Sequence, residues 1–353
     1  MARRPQPVDR LWRSARRLCP ALALALAAGP APACVVCIDL PEETLTDRVW
    51  AAQTVALARN HPADPYAYQS IETLAGGPAA PVPFLVNTAE RRRMADDPDR
   101  VALLLRGEDG WSLGGHGGAD FAALARRVQA REAEWSDAAD DPDRIRAFAG
   151  LHASADPVIR RLALSELARA PYARLRGIDV ALSPEWLAAR MGETAWYGWR
   201  PILVKLLGLH ADPAAHDVVL ARALDVPPAD RVPWLVALIE VDGEEAIDRI
   251  LAHRSGVPEA RAAARALVMH ADPSHALAPA LAAALRRLAL ADPQIAAEAV
   301  PGLRALGDMS LAPAVASLLA EGRVGDGAGA FALKSYLAAA RRSRAAEAEG
   351  HPQ

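Results

Sequence analysis

The sequence predicts an α-rich α+β protein in which a small β-containing module precedes a long helical array. With 353 residues, the chain is longer than a typical single domain. Its 81 alanines favour helix, and the 5% aromatic content is low for a large β-rich core. Period-two patterns occur only before about residue 130, and helical spacing dominates after it. We therefore predict a module over residues 34–130, a helical array over 131–342 and a flexible tail over 343–353.

The first 33 residues are predicted to be a secretory signal peptide. Six arginines precede a short apolar run over residues 18–28, and Ala31-Pro32-Ala33 follows as a small-residue cleavage site. The run is shorter than the roughly 20 apolar residues of a membrane span. We therefore expect a periplasmic or secreted protein that has no membrane span.

Loss of the signal peptide changes the charge of the chain. It removes six arginines and one aspartate, which takes the net charge from −3 to −8. A negative protein repels the phosphate backbone, so we expect no nucleic-acid partner. The partner class that we expect is a protein of the cell envelope.

Cleavage after Ala33 would make Cys34 the first residue of a lone Cys-x-x-Cys, with Cys37 as its second cysteine. One interpretation is a structural disulfide in an oxidising compartment. A second is a lipoprotein anchored through Cys34, which would leave Cys37 without a partner. A third is a thiol or metal-delivery centre, although no second cysteine pair completes a zinc site.

Short apolar runs predict the strands of the N-terminal module. The predicted strands are residues 49–58, 66–74, 82–86 and 101–105, separated by polar loops at 91–98 and 110–118; Asp120 is predicted to cap a helix through Val128. The two cysteines, residues 55–58, residues 68–76 and residues 101–105 together resemble a netrin-like module. That resemblance implies an OB-type barrel. Protease inhibition is not expected, because inhibitors of that family begin with a closer Cys-x-Cys.

His116 lies in the middle of the five-residue sequence Gly-Gly-His-Gly-Gly, residues 114–118. We predict a flexible loop here, because the Gly-Lys-Ser/Thr element of a phosphate-binding loop is absent. No catalytic partner for His116 can be named from the sequence.

The array is predicted from recurring helix starts. Pro157 occupies the first helical position after Asp156, and apolar residues then recur at helical spacing on one face. The predicted helix caps are Asp156, Asp212, Asp272 and Asp292. The pattern Asp156, Ile159, Arg160, Ala163, Leu167 resembles a HEAT repeat helix, which implies an α-solenoid of stacked helical hairpins. A compact helical bundle is the alternative.

His210 and His270 occupy matching positions before an Asp-Pro turn, which indicates side chains that cover helix ends. His216 and His275 follow them closely, but neither pair has a carboxylate or cysteine at metal-ligand spacing. We therefore expect no metal site and no cofactor.

Four aromatic residues precede the most alanine-rich part of the array: Trp196, Tyr197, Trp199 and Trp234. One interpretation is that they fill gaps between repeats. The other is that they form an exposed patch that anchors a partner, since Trp and Tyr dominate binding hot spots.

These observations predict an exported bacterial interaction scaffold. Two alternatives stay open. One is a HEAT-like lyase or cofactor-maturation enzyme, which a polar cleft near residues 196–210 would favour. The other is the thiol or metal-delivery protein based on Cys34 and Cys37.

Overall fold

The computed structural model describes residues 43–77, 81–83, 86–135, 141–322 and 327–348. These residues all belong to one compact unit of the chain. The predicted signal peptide, Cys34 and Cys37 lie outside the described residues. None of the described helices is long and apolar enough to cross a membrane.

Five antiparallel strands form one sheet in the N-terminal module. They are β1 (Thr54–Asn60), β2 (Ala67–Ala75), β3 (Val82–Pro83), β4 (Val101–Gly107) and β5 (Gly110–Gly117), in the spatial order β3-β2-β1-β4-β5. The strands predicted over 66–74 and 101–105 are confirmed, and part of the 82–86 segment forms β3. The OB-type barrel stays a prediction.

Fifteen α-helices are described, most of them after the sheet. They are α1 (Leu45–Ala51), α2 (Thr88–Asp96), α3 (Ala119–Ala130), α4 (Pro142–Ala149), α5 (Pro157–Arg169), α6 (Tyr172–Leu175), α7 (Pro184–Met191), α8 (Arg200–Leu209), α9 (Pro213–Arg222), α10 (Arg231–His253), α11 (Val257–Met269), α12 (Ala278–Ala291), α13 (Pro293–Ala305), α14 (Ala312–Ala320) and α15 (Ala328–Ala348). Short 3₁₀ helices cover Thr194–Trp199 and Pro228–Asp230. The chain is thus α-rich and α+β, as predicted.

The strand predicted over residues 49–58 begins too early, because residues 49–51 belong to α1. Thr44 and Asp47 form a capping box, in which each side chain accepts a hydrogen bond from the backbone N–H of the other residue. This cap starts a helix that ends at Ala51, and β1 begins at Thr54.

The polar loop predicted over 91–98 is also wrong in its first part, because α2 covers Thr88–Asp96. The Asn87 side chain caps this helix by accepting from the Glu90 backbone N–H at 2.8 Å. Only Met94 supplies a buried apolar side chain from α2 to the sheet. A helix with a single buried apolar side chain has almost no amphipathic pattern, so the sequence of α2 does not indicate a helix.

The glycine-rich segment around His116 is strand β5 and not the predicted loop. A Cβ atom on Gly117 would lie 2.3 Å from the Cβ of Phe121, so glycine allows α3 to pack directly on this strand. Asp120 does not cap α3 either: Gly118 is the N-cap, and Asp120 lies in the first turn, where a carboxylate favours the helix dipole.

The close approach at Gly117 gives a direct prediction. Gly117→Ala should lower the free energy of unfolding by about 1–3 kcal/mol through overpacking against Phe121. Gly107→Ala is the matched control, because no atom lies within 4 Å of its added Cβ. Urea denaturation of both variants measures the difference, and equal stability would contradict the packing explanation.

Contacts between helices continue along the array from α5 to its last helix. In the series α5, α8, α10, α11, α13 and α15 each helix contacts the next, and α9, α12 and α14 pack against members of this series. Gly243 adopts a non-helical φ of 60° and breaks α10 into two segments. The last helix continues to Ala348, beyond the predicted start of the flexible tail at residue 343.

Three of the four predicted aspartate caps occupy N-cap positions. Asp156, Asp212 and Asp292 accept hydrogen bonds from backbone N–H groups two residues later, at 2.7–2.9 Å. The prediction for Asp272 is wrong, because no helix begins there. Its carboxylate instead binds the backbone N–H and hydroxyl of Ser274 in a turn, and α12 starts only at Ala278.

The predicted boundary near residue 130 does not separate two hydrophobic cores. Phe121 and Val128 of α3 share one buried cluster with Phe148 of α4 and with Ile159 and Ala163 of α5. The sheet module and the first helical hairpin are therefore packed as a single structure.

Candidate functional site

Three tryptophans cluster where α7 meets the 3₁₀ helix Thr194–Trp199. The ring centroids of Trp186 and Trp196 are 5.2 Å apart, and those of Trp196 and Trp199 are 6.2 Å apart, both edge to face. Such aromatic contacts add roughly 0.5–1.5 kcal/mol beyond burial. The segment is therefore a rigid aromatic feature of the surface.

Arginines from three helices stack on these rings. The guanidinium carbons of Arg160 and Arg190 lie 5.1 and 5.2 Å from the Trp186 ring centroid. Arg161 lies 5.5 Å from the Trp196 ring, and Arg200 lies 4.4 Å from the Tyr197 ring. We call this set the Arg–Trp surface: Arg160, Arg161, Trp186, Arg190, Trp196, Tyr197, Trp199 and Arg200.

The structure divides the four aromatic residues between the two interpretations. Trp196 and Trp234 are each only 7% exposed, so both fill the core as gap-filling residues do. Tyr197 and Trp199 are half-buried and remain on the surface. The sequence prediction left out Trp186, which is half-buried and carries two stacked arginines.

Two arginines of the Arg–Trp surface have unused hydrogen-bond capacity. Arg161 is exposed, and its side chain has no hydrogen bond or ion pair among the described residues, only the ring contact with Trp196. Arg200 is half-buried and also has no side-chain hydrogen bond in that part of the chain; its Nε is buried, so its two Nη groups are the ones that a partner could reach. By contrast, Arg160 donates to the Ser154 carbonyl, and Arg190 pairs with Glu193. Arg161 and Arg200 are therefore the two residues best placed to bind a partner.

A second polar cluster connects distant parts of the array. Arg176 donates from Nε to Glu240 of α10 at 3.0 Å and from Nη2 to Nδ1 of His270 at 2.6 Å. The His270 ring is buried, and its Nε2 donates to the Val236 carbonyl at 2.9 Å. Burial, with the guanidinium of Arg176, lowers the pKa of His270 to about 3, so this histidine is neutral.

In the same cluster, the Glu240 carboxylate lies close to His270 and His275, which the sequence alone did not indicate. Glu240, His270 and His275 each place a ligand atom within 4.8 Å of the others. However, Arg176 already donates to His270 Nδ1, and the Leu277 backbone N–H donates to His275 Nδ1 at 3.0 Å. The cation bound to Glu240 and His270 is thus the Arg176 guanidinium, and a divalent ion could bind there only by displacing it.

His210 covers a helix end, as its position in the sequence indicates. It is the C-cap residue of α8, its Nε2 donates to the Leu182 carbonyl at 3.1 Å, and its Nδ1 accepts from the Asp212 backbone N–H. His216 bonds to the His210 carbonyl and does not form a metal pair with the His210 ring. Both histidines therefore stabilise the turn between α8 and α9.

His116 has a partner that the sequence could not identify. Its Nε2 lies 2.6 Å from the hydroxyl of Tyr68 on β2, which is fully buried. Burial raises the pKa of Tyr68 to about 12 and lowers that of His116. The pair is consequently neutral near pH 7, and it joins β2 to β5 across the face of the sheet.

A cleft with a volume of about 660 Å³ lies beside the Arg176 cluster. Its walls come from the end of α4, the following turn and the segment around α6, within residues 142–181. Arg146, Arg174 and Arg176 line it together with Asp179, so positive side chains predominate.

Comparison of the chain with protein-family models, curated proteins and solved structures gives no match.

Proposed function

We propose that this protein is an exported bacterial scaffold that binds a protein partner through its helical array. The array consists of HEAT-like hairpins in this proposal, and the binding surface is the Arg–Trp surface at its N-terminal end. The periplasmic or secreted location follows from the predicted signal peptide, and the partner is a protein of the cell envelope.

The observation that carries this proposal is the unused capacity of Arg161 and Arg200 beside fixed aromatic rings. Trp, Tyr and Arg are the residue types most enriched in interface hot spots. Rings that are already packed lose little conformational entropy when a partner binds. A partner carbonyl or carboxylate could therefore bind the exposed guanidinium of Arg161 and the Nη groups of Arg200, whereas the Nε of Arg200 is buried.

The alternative of a lyase or cofactor-maturation enzyme gains less support. That function would be favoured by a polar cleft near residues 196–210, but the described cleft is lined from within residues 142–181. The thiol or metal-delivery alternative depends on Cys34 and Cys37, which lie outside the described residues.

The double variant Arg161→Ala/Arg200→Ala should weaken partner binding at least about tenfold, since hot-spot truncations cost 2 kcal/mol or more. Both substitutions leave a helix former in a helix, so folding should be preserved. The measurement is crosslinked capture from the periplasm with tagged mature protein, followed by titration of the recovered partner.

Arg341→Ala/Arg342→Ala is the matched control, because both residues are exposed on α15 and the change in charge is the same. It should bind as the unmodified protein does. Equal recovery of the partner by both double variants would contradict the assignment of the Arg–Trp surface. Mass spectrometry of the captured bait also identifies its N-terminus and distinguishes a lipid on Cys34 from a disulfide.

A further inference from the structure

The cleft beside Arg176 is not explained by the Arg–Trp surface. Its volume of about 660 Å³ falls within the range of roughly 300–1,000 Å³ that is typical of ligand sites. Ile145 and Ile178 supply apolar wall, and arginines supply most of the charge. The cleft therefore combines the two kinds of contact that a binding site needs.

Its lining contains more basic than acidic side chains, although the chain as a whole is acidic. Three arginines and one aspartate line the cleft, whereas the full chain has a net charge of −3. Arg146 is paired with exposed Asp143. Arg174 is exposed, and its side chain has neither an ion-pair nor a hydrogen-bond partner among the described residues. Arg174 is thus available to an incoming anion.

Arg176 is fixed before any ligand arrives. Its Nε and Nη2 are engaged by Glu240 and His270, which leaves Nη1 outside these two contacts. Its guanidinium carbon also lies 5.4 Å from the ring of Tyr172. A side chain held at three points loses little entropy on binding, so Arg176 is a preorganised donor, although its ion pair with Glu240 offsets much of its charge.

His152 lines the cleft but offers no free hydrogen-bonding group to a ligand, because both of its ring nitrogens are already hydrogen-bonded. The Ala181 backbone N–H donates to Nε2 at 3.1 Å, and Nδ1 bonds to the Ala149 carbonyl. Arg174, Arg176 and the two isoleucine side chains can therefore contact an acidic, partly apolar ligand, while exposed Asp179 contributes a negative charge to the lining.

We propose that this cleft binds an acidic peptide segment of the partner protein, with a carboxylate between Arg174 and Arg176 and an apolar side chain against Ile145 and Ile178. Arginine is suited to this role because its planar fork matches a carboxylate. The assignment rests on the proposed scaffold function, but it uses a surface other than the Arg–Trp surface.

The test uses the full mature chain and fluorescein-labelled Glu-Leu-Glu-Leu-Glu-Leu, with Gln-Leu-Gln-Leu-Gln-Leu as the neutral probe. Fluorescence anisotropy should show saturable binding of the acidic peptide only. Arg174→Glu should weaken that binding at least about tenfold, since it removes a charge-assisted hydrogen bond and places a carboxylate against the acidic peptide. Arg174→Gln, which keeps the length and removes the charge, should give a smaller loss.

Arg341→Glu on α15 is the control for net charge, and it should change the affinity less than about twofold because it lies outside the cleft. Equal losses with Arg174→Glu and Arg341→Glu would overturn the proposal, as would equal binding of the glutamine peptide. If Arg174→Glu leaves acidic-peptide binding unchanged, the cleft is not the peptide site. If Arg161→Ala/Arg200→Ala still loses the partner in that case, the proposed scaffold function is retained.

Discussion

Arg144→Met should lower the free energy of unfolding by about 3–5 kcal/mol, because it leaves a buried carboxylate without its cation. The side chains of Arg144 and Glu166 are only 5% and 4% exposed, and their closest N–O distance is 2.7 Å. Arg144 also donates to Asp47 and to the Thr44 hydroxyl, both at 2.9 Å. Guanidinium denaturation followed by circular dichroism measures the loss.

Arg146→Met is the matched control on the same helix. Its side chain is 74% exposed and pairs only with the exposed side chain of Asp143, so stability should change by about 0.5 kcal/mol or less. Adding Glu166→Gln to Arg144→Met should recover part of the stability by removing the unpaired charge. Similar losses for the two arginine variants would contradict a buried network between the module and the array.

Acid should destabilise this protein through His270. Its pKa falls from an ordinary value of 6.5 to about 3 in the fold. Below pH 6.5 the unfolded chain therefore binds a proton that the folded chain does not. The contribution of neutral His270 to the free energy of unfolding is therefore complete above pH 6.5. It decreases by up to about 1.4 kcal/mol per pH unit as the pH falls toward 3.

His270→Gln should flatten this pH dependence, because glutamine keeps a donor for the Val236 carbonyl but does not titrate. The measurement is the free energy of unfolding from urea titrations between pH 7 and pH 4. His253→Gln is the control on exposed surface and should keep the slope of the unmodified protein. An unchanged slope in His270→Gln would show that another group accounts for the acid sensitivity.

Local rules predicted the parts of the structure that depend on neighbouring residues. Asp156-Pro157 and Asp292-Pro293 each place a cap and a proline where a helix begins, so the sequence suffices to locate those starts. Asp272-Pro273 has the same local signature, and its carboxylate also accepts from the backbone N–H two residues later, yet the chain forms a turn there and α12 begins only at Ala278. Identical short patterns can thus lead to different backbone structures.

Contacts between distant residues could not be predicted in this way. Arg176 meets Glu240 and His270 across 64 and 94 residues of sequence, and Arg144 meets Thr44 across 100 residues. The strand at residues 110–117 forms by pairing with β4, where His116 lies opposite Ala102, and this pairing overrides the loop preference of glycine. Trp186 was missed for the same reason, because its stacked arginines come partly from another helix.

The central claim is that a protein partner binds the Arg–Trp surface, and amide hydrogen exchange with the captured partner tests it most directly. Binding should slow exchange in residues 157–162 and 184–200, which contain the surface, and leave α15 unchanged. The same experiment with Arg161→Ala/Arg200→Ala should show no such protection at equal concentrations. Protection confined to α12–α15, with none in residues 184–200, would contradict the proposed binding surface.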